Sequence, residues 1–326
     1  MNQFSYVRPA SQQAAIDAIT RDSAARFIAG GTNLLDLMKN GVLAPERLVD
    51  INRLPLKNIA LNNNILHIGA LALNSEVAAH PLVKTHHPLL SQALLAGASQ
   101  QLRNMATIGG NMMQRTRCSY FYDITMPCNK RTPGSGCSAI GGINRMHAIF
   151  GASDQCIAVH PSDMCVALTA LDATVLVAGP KGNRSIPFGE FHRLPGNTPD
   201  KDNNLSKGEL ITGIEIPNSP FTKNIYYLKV RDRASYAFAL VSVAAALDIS
   251  NNTIRGARLA MGGVAHKPWR LHEAEKTLIG KTPTADNFRI AATVATQSAR
   301  TYPHNAFKVP MAQNSIVTAL QKAAAV

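Results

Sequence analysis

The sequence predicts an α+β chain in two parts, and three features predict it. Near the N-terminus, residues 24–29 read as a buried strand that runs into the turn Gly30-Gly31-Thr32-Asn33, after which Leu34, Leu35, Leu37 and Met38 take helix-like spacing. Residues 194–208 are rich in Pro, Gly, Asn, Asp and Lys, the composition of an exposed connection, and place a boundary just beyond them. Strands at 224–231, 238–249 and 254–264 then follow one another, with helices at 284–300 and 311–325, which is the pattern of a smaller α+β unit. The division expected is 1–218 and 219–326.

Within the first part, further short strands are expected at 47–51 and 65–70 and an amphipathic helix at 87–99. His160-Pro161-Ser162-Asp163 looks like a capped helix start, with Pro and an acidic side chain in the first turn, leading to an apolar helix and a strand at 173–178. No repeat of the solenoid kind and no low-complexity tract interrupts this order.

A chain of 326 residues that is 46% hydrophobic and 16% charged has the apolar material for a full core, so disorder is not its main state. The first residues carry no basic cluster ahead of an apolar stretch, and no run is long enough for a membrane span, so neither a signal peptide nor a span is expected. The formal charge of +13 suits nucleic acid, an anionic cofactor or an acidic partner. Apart from Arg115-Thr116-Arg117 and Asn129-Lys130-Arg131, however, the basic residues are scattered and lack interleaved aromatics, which argues against nucleic acid.

All five cysteines, Cys118, Cys128, Cys137, Cys156 and Cys165, fall within 48 consecutive residues. The first three have Pro127, Asn129, Pro133, Gly134, Ser135 and Gly136 as neighbours, residues that free the backbone to wrap a small object. Cys165 sits instead among Met164, Val166, Ala167 and Leu168, where a thiol behaves as a small hydrophobe. The remaining four are spaced C-x9-C-x8-C-x18-C. Four thiolates suit an iron–sulfur cluster or a zinc ion, but the C-x2-C pairs typical of both are missing, and disulfides or free thiols stay open. His86, His87, His147 and His160 read as loop or capping histidines, and no residue is singled out as catalytic.

Two glycine turns, Ala29-Gly30-Gly31-Thr32-Asn33 and Ala106-Thr107-Ile108-Gly109-Gly110-Asn111, each pair a double glycine with a hydroxyl and an amide. Such turns let backbone N–H groups converge on phosphate oxygens, although an ordinary tight turn has the same composition. No G-x-G-x-x-G follows an expected strand, which argues against a Rossmann nicotinamide site.

Arg26-Phe27-Ile28-Ala29-Gly30-Gly31-Thr32-Asn33-Leu34 and Leu102-Arg103-Asn104-Met105-Ala106-Thr107-Ile108-Gly109-Gly110-Asn111 closely resemble the FAD diphosphate loops of the medium subunits of the xanthine dehydrogenase family, and the resemblance runs nearly end to end. Gln114-Arg115-Thr116-Arg117-Cys118, Pro127-Cys128-Asn129-Lys130-Arg131, Pro133-Gly134-Ser135-Gly136-Cys137 and the segment from Cys156 through His160-Pro161-Ser162-Asp163 to Met164 resemble a narrower group. These are the FAD subunits of bacterial aldehyde oxidoreductases, related to the flavin subunit of 4-hydroxybenzoyl-CoA reductase.

The resemblance implies the two-part FAD domain of the vanillyl-alcohol-oxidase type followed by the small C-terminal domain of carbon monoxide dehydrogenase flavoproteins. It implies that 26–34 with Thr107, Gly110 and Asn111 hold the FAD diphosphate, that Asp163 contacts the ribityl or flavin region, and that Lys229 lies near the isoalloxazine. It further implies that Cys118, Cys128, Cys137 and Cys156 ligate a [4Fe–4S] cluster and that Cys165 does not. The implied partners are a large subunit with the molybdenum cofactor and a small subunit with [2Fe–2S] clusters, in a heterotrimer that oxidises an aldehyde. A xanthine dehydrogenase-like or hydroxybenzoyl-CoA reductase-like enzyme is the alternative within the family, and a zinc-stabilised binding protein the alternative outside it. The expected location is the periplasm, by export with a signal-bearing partner, or the cytoplasm.

Overall fold

A computed structural model describes residues 1–325, and the strands among them form three sheets. The first is small and parallel, with β1 (Ser5–Val7), β2 (Ala25–Ile28) and β3 (Arg47–Asp50) in the order β1-β3-β2. Strands that run parallel in one sheet need a crossover between them. The helix Gln12–Arg21 supplies one, capped by the Ser11 hydroxyl, which accepts from the Ala14 N–H, and it buries Ala15 and Ile16 in one core with Val49 and Leu54. The glycine turn at Gly30 follows the C-terminal end of β2, the end of a parallel strand at which ligands usually bind.

The second sheet is antiparallel, with β4 (Ile59–Asn62), β5 (Ile65–Gly69), β6 (Thr174–Gly179), β7 (Gly182–Pro187) and β8 (Leu210–Ile216) in the order β4-β5-β8-β6-β7. Asn63 and Asn64, both in the left-handed region at φ 48° and 63°, close the β4–β5 hairpin, as two-residue hairpin turns require. Leu66, Ile68, Val175, Val177, Ile214 and Ile216 share one core with Leu89, Leu90 and Ala93 of the helix Pro88–Ala96 and Val166 and Leu168 of the helix Asp163–Ala170.

The third sheet is antiparallel, with β9 (Ile225–Val230), β10 (Val241–Ser250), β11 (Thr253–Gly262) and β12 (Trp269–Arg270) in the order β12-β11-β10-β9. Strand β10 is buried on both faces. Ala244 and Ala246 point into the core shared with the second sheet, while Val243, Ala245 and Leu247 point toward the helices Ala285–Thr296 and Lys308–Ala324. Small side chains let helices lie close on both sides of this strand.

The expected strands at 24–29, 47–51, 65–70, 173–178, 224–231 and 254–264 all exist, shifted by a residue or two, and the strand expected from 238 begins at Val241. The helix expected at 311–325 starts earlier, at Lys308, because Pro310 falls in its first turn, where its missing N–H costs nothing. The segment 194–208 is more than an exposed connection. Asp202 within it is ion-paired to Lys130 and Arg115, and the chain then returns as the central strand β8, so the crossing to the third sheet comes only between Ile216 and Ile225.

Candidate functional site

Two glycine loops meet face to face at the C-terminal end of β2. A Cβ on Gly30 would stand 1.8 Å from the Met105 carbonyl oxygen, and Gly31 has φ +72°, so the first loop needs both glycines for different reasons. Gly109 packs against Ala70 less tightly, its absent Cβ lying 3.2 Å from the Ala70 carbonyl oxygen. Thr107 caps the short helix Ile108–Met112 by accepting from the Gly110 N–H at 3.2 Å. Together the loops wall a cleft of about 970 Å³ whose lining includes all of Arg26, Phe27, Ile28, Ala29, Gly30, Gly31, Thr32, Asn33 and Leu34, with Thr107 and Gly110. The Asn33 side chain accepts from the Arg115 N–H at 3.0 Å, and its buried Nδ2 has no partner. An orphaned donor and a glycine-bared backbone in one cleft fit an anionic ligand such as a dinucleotide diphosphate. Gly30→Val should therefore abolish flavin retention while the core of the second sheet survives; a flavin-to-protein ratio equal to wild type after gel filtration would contradict this.

A second cavity of about 450 Å³ lies beyond this cleft, walled by Thr116, Cys118, His147, Ser162, Asp163 and Phe238 among others. Asn111 links the two: its Oδ1 accepts from the Ser162 hydroxyl at 2.6 Å and from the Gln114 side chain at 2.7 Å. Asp163 reaches the cavity wall, but Lys229 does not. The Lys229 ammonium donates to Asp163 at 2.7 Å and to the Ala96 carbonyl at 3.1 Å, and the Tyr227 hydroxyl donates to the other Asp163 oxygen at 2.8 Å. Neither a surface lysine nor one at the cavity wall, Lys229 neutralises a buried carboxylate from behind.

The segment between Arg115 and Cys156 has two short helices, Ser119–Tyr122 and Ser138–Gly141, and is otherwise held by polar contacts. Cys128 and Cys137 face each other as an isolated antiparallel bridge, closed by Asn129, which accepts from the Gly136 N–H at 2.8 Å and donates to the Gln155 carbonyl at 3.1 Å. Buried Lys308 ties the segment to the third sheet by donating to the carbonyls of His147, at 2.9 Å, and Gly263, at 2.8 Å.

All five thiols are free. Burial pushes Cys118 up to about 12 against the N–H groups of Phe121 and Tyr120, and neighbouring Cys128 and Cys156 push it further. Burial likewise pushes Cys156 up to about 11, opposed by Lys130 and the Ala158 N–H and reinforced by Cys137 and Cys128. The four sulfurs thus sense one another electrostatically. Yet among the described residues no three of them bring their sulfurs within 4.8 Å of one another, whereas a single tetrahedral zinc ion would hold its sulfurs about 3.8 Å apart, from Zn–S bonds of about 2.3 Å. His147 Nε2 lies 3.1 Å from Cys118 Sγ, and His266 Nε2 3.9 Å from Cys156 Sγ, so the sulfurs also have ring nitrogens beside them. His147, read from sequence as an ordinary loop histidine, is kept neutral by burial and by Lys308, its pKa lowered to about 4.

Arg115, Lys130 and Asp202 join this segment to the cleft. Arg115 Nε donates to Asp202 at 2.7 Å, and Lys130, 1% exposed, is paired with the other oxygen. Burial alone would raise the Asp202 pKa; Lys130 and Arg115 reverse that and hold it well below the usual carboxylate range. A folded-state pKa below the unfolded one means stability that is complete above the unfolded carboxylate value and lost as pH falls through and below it. Wild type should therefore lose stability from about pH 4 downward, and Asp202→Asn should be weaker at pH 7 with a flatter acid limb. Parallel curves for the two proteins would contradict the assignment.

A glycine-walled cleft bridged through Asn111 to a second cavity, with grouped thiols beside it, defines a protein built around a dinucleotide redox cofactor. Residues 2–219 match the family described as FAD binding domain in molybdopterin dehydrogenase, and residues 226–323 match the CO dehydrogenase flavoprotein C-terminal domain. The chain belongs to the FAD-binding medium subunits of the molybdenum hydroxylases and is an oxidoreductase subunit that binds FAD.

It is 47% identical to the aldehyde oxidoreductase FAD-binding subunit PaoB of Escherichia coli (strain K12), over 100% of this chain and 99% of that one. It is 34% identical to the glyceraldehyde dehydrogenase medium chain of Sulfolobus acidocaldarius, over 90% of this chain and 88% of that one. The solved structure of carbon monoxide dehydrogenase from Hydrogenophaga pseudoflava superposes with a TM-score of 0.78 at 25% identity, covering 99% of this chain and 98% of that one. The two-part architecture expected from the resemblance is borne out. No helix among the described residues is long and apolar enough to cross a membrane.

Proposed function

We propose that this chain is the electron-transferring flavin subunit of a heterotrimeric molybdenum aldehyde oxidoreductase, working with a molybdenum-cofactor large subunit and a [2Fe–2S] small subunit. The observation that carries this reading is the shared wall: Cys118 of the thiol group and Asp163 of the flavin side line one cavity. In this assignment residues 26–34 with Thr107, Gly110 and Asn111 hold the FAD diphosphate and Asp163 stands beside the ribityl or ring portion. Lys229 pairs with Asp163, so that the carboxylate at the wall has an opposite charge beside it. Bound FAD takes electrons singly and gives them up as a pair, which suits a junction between one-electron centres and a two-electron acceptor. The buried Tyr227 hydroxyl, shared between Asp163 and Ser242, keeps the polar atoms of this wall satisfied.

We assign Cys118, Cys128, Cys137 and Cys156 as ligands of a [4Fe–4S] cluster. Their support is the placement of four free thiols in one segment, with Cys128 facing Cys137 across an isolated bridge, together with the Ala158 N–H at the Cys156 sulfur. The 47% identity to a subunit named for aldehyde oxidation supports an aldehyde as the complex's substrate.

The test is to co-express the chain with large and small subunits of that type and follow flavin absorbance anaerobically after adding an aldehyde. Bleaching that requires both partners is expected. Failure of the three chains to co-purify, or bleaching by aldehyde without the large subunit, would contradict the assignment.

A further inference from the structure

We propose that His160, Cys165 and His192 form a buried site for a monovalent copper ion, built from residues that neither line the glycine-walled cleft nor belong to the four-cysteine set. His160 precedes the helix Asp163–Ala170, Cys165 lies in its first turn, and His192 follows the short helix Phe188–Phe191. One donor atom from each lies within 4.8 Å of the other two, and all three residues are buried.

The two rings pack with centroids 4.3 Å apart, and two of their nitrogens, His160 Nε2 and His192 Nδ1, are buried with no hydrogen-bond partner. A buried polar atom left unpaired costs about 1–3 kcal/mol, so two together in one pocket call for an occupant. The tautomer of His192 is settled by its neighbour. Its Nε2 lies 2.9 Å from the Met112 carbonyl oxygen, which only accepts, so Nε2 carries the proton and Nδ1 presents a bare lone pair. A histidine that donates one ring N–H to a carbonyl and turns the other nitrogen inward has the arrangement of a metal ligand. The Ser162 N–H approaches His160 Nδ1 only at 3.4 Å, so moving the His160 proton to Nδ1 to free Nε2 gives up little. With metal–nitrogen bonds of about 2.0 Å and metal–sulfur bonds of about 2.3 Å, the three donor atoms need to close in by roughly 1 Å, within the reach of side-chain rotation.

The donor set and its burial choose the ion. One thiolate and two imidazoles form a soft, three-coordinate set of the kind that suits copper(I). Binding forms a copper–sulfur bond and releases the Cys165 thiol proton, which leaves through the cavity that His160 lines. One unit charge replaces another, no electron moves, and the buried pocket keeps its net charge. Zinc(II) would add a positive charge there, and the carboxylates of Asp163 and Asp202 are already committed to Lys229 and to Lys130 with Arg115. An uncompensated buried charge is strongly disfavoured.

The test uses the full chain with its cofactors, kept anaerobic. It is loaded with copper(I) as its acetonitrile complex, challenged with a copper(I) chelator, desalted and analysed for metals. Wild type is expected to retain one copper per chain more than Cys165→Ser and more than His192→Gln, whose amide can still donate to the Met112 carbonyl. X-ray absorption should show that copper with one sulfur and two nitrogen neighbours. If the four loop cysteines hold no cluster they will take copper too, but equally in all three proteins, so the difference reports this site alone. Should Cys165→Ser fail to fold, the His192→Gln comparison decides. Equal copper in wild type and variants, or retention of zinc in place of copper, overturns the proposal.

Discussion

Replacing Lys229 by methionine should cost the folded protein about 3–5 kcal/mol, the penalty for stranding a buried charge. The side chains of Lys229 and Asp163 are 5% and 6% exposed and 2.7 Å apart, so the variant leaves the carboxylate with the Tyr227 hydroxyl as its remaining side-chain partner at a poorly solvated wall. In a chain of this size the loss should appear as a fall of roughly 5 °C in thermal midpoint. Lys229→Met/Asp163→Leu, which removes both charges, should recover much of that loss because no ion is left unpaired. The comparison is made on flavin-free protein, so that altered cofactor affinity does not enter. A single variant within about 1 kcal/mol of wild type would show that the pair is not the buried contact described here.

Cys128→Ser should remove nearly all of the iron while leaving flavin in place. The Gly30 cleft is built on β2 and the 106–111 turn, neither of which contains a cysteine, whereas Cys128 and Cys137 face each other across the bridge that closes the thiol segment. Without a bound cluster the segment keeps its Lys308 and Asp202 anchors but loses its central cross-link, so limited proteolysis should cut between Arg115 and Cys156 in the variant first. Full iron content in Cys128→Ser would remove this cysteine from the ligand set, and loss of flavin along with iron would mean that the two sites are not separable.

Much of the scaffold was legible because it rests on local rules. Strand β2, its glycine turn and the helix behind it follow one another in sequence, and the apolar runs of β10 and β11 need no partner to be recognised. Strand β8 was missed although Leu210, Ile211, Ile214 and Ile216 are all buried, because it is squeezed between the loop-forming residues 194–208 and the boundary expected at 218. Its place between β5 and β6 is a long-range pairing that no local pattern encodes. The strand Gly182–Pro187 was missed for another reason: it lies at the sheet edge and is mostly exposed, so it carries no apolar alternation.

The two glycine turns and the separation of Cys165 from the other cysteines could be seen in the residues themselves, and the family resemblance supplied their assignment. What stayed hidden was every contact between distant segments. The pairing of Lys130 and Arg115 with Asp202 joins residues 72 and 87 positions apart, and the approach of His147 to Cys118 spans 29. Lys229 could be recognised as important, yet only the fold shows that it meets Asp163 before it meets any cavity.

One chain is assigned both a flavin and an iron–sulfur cluster. The most direct measurement is the visible spectrum of anaerobically purified protein, with iron, acid-labile sulfide and released flavin assayed on the same sample. One flavin with about four irons and about four sulfides per chain, the flavin bands riding on a broad shoulder, is the result expected. Flavin without iron would contradict the role given to Cys118, Cys128, Cys137 and Cys156, and folded protein with neither would contradict the account as a whole.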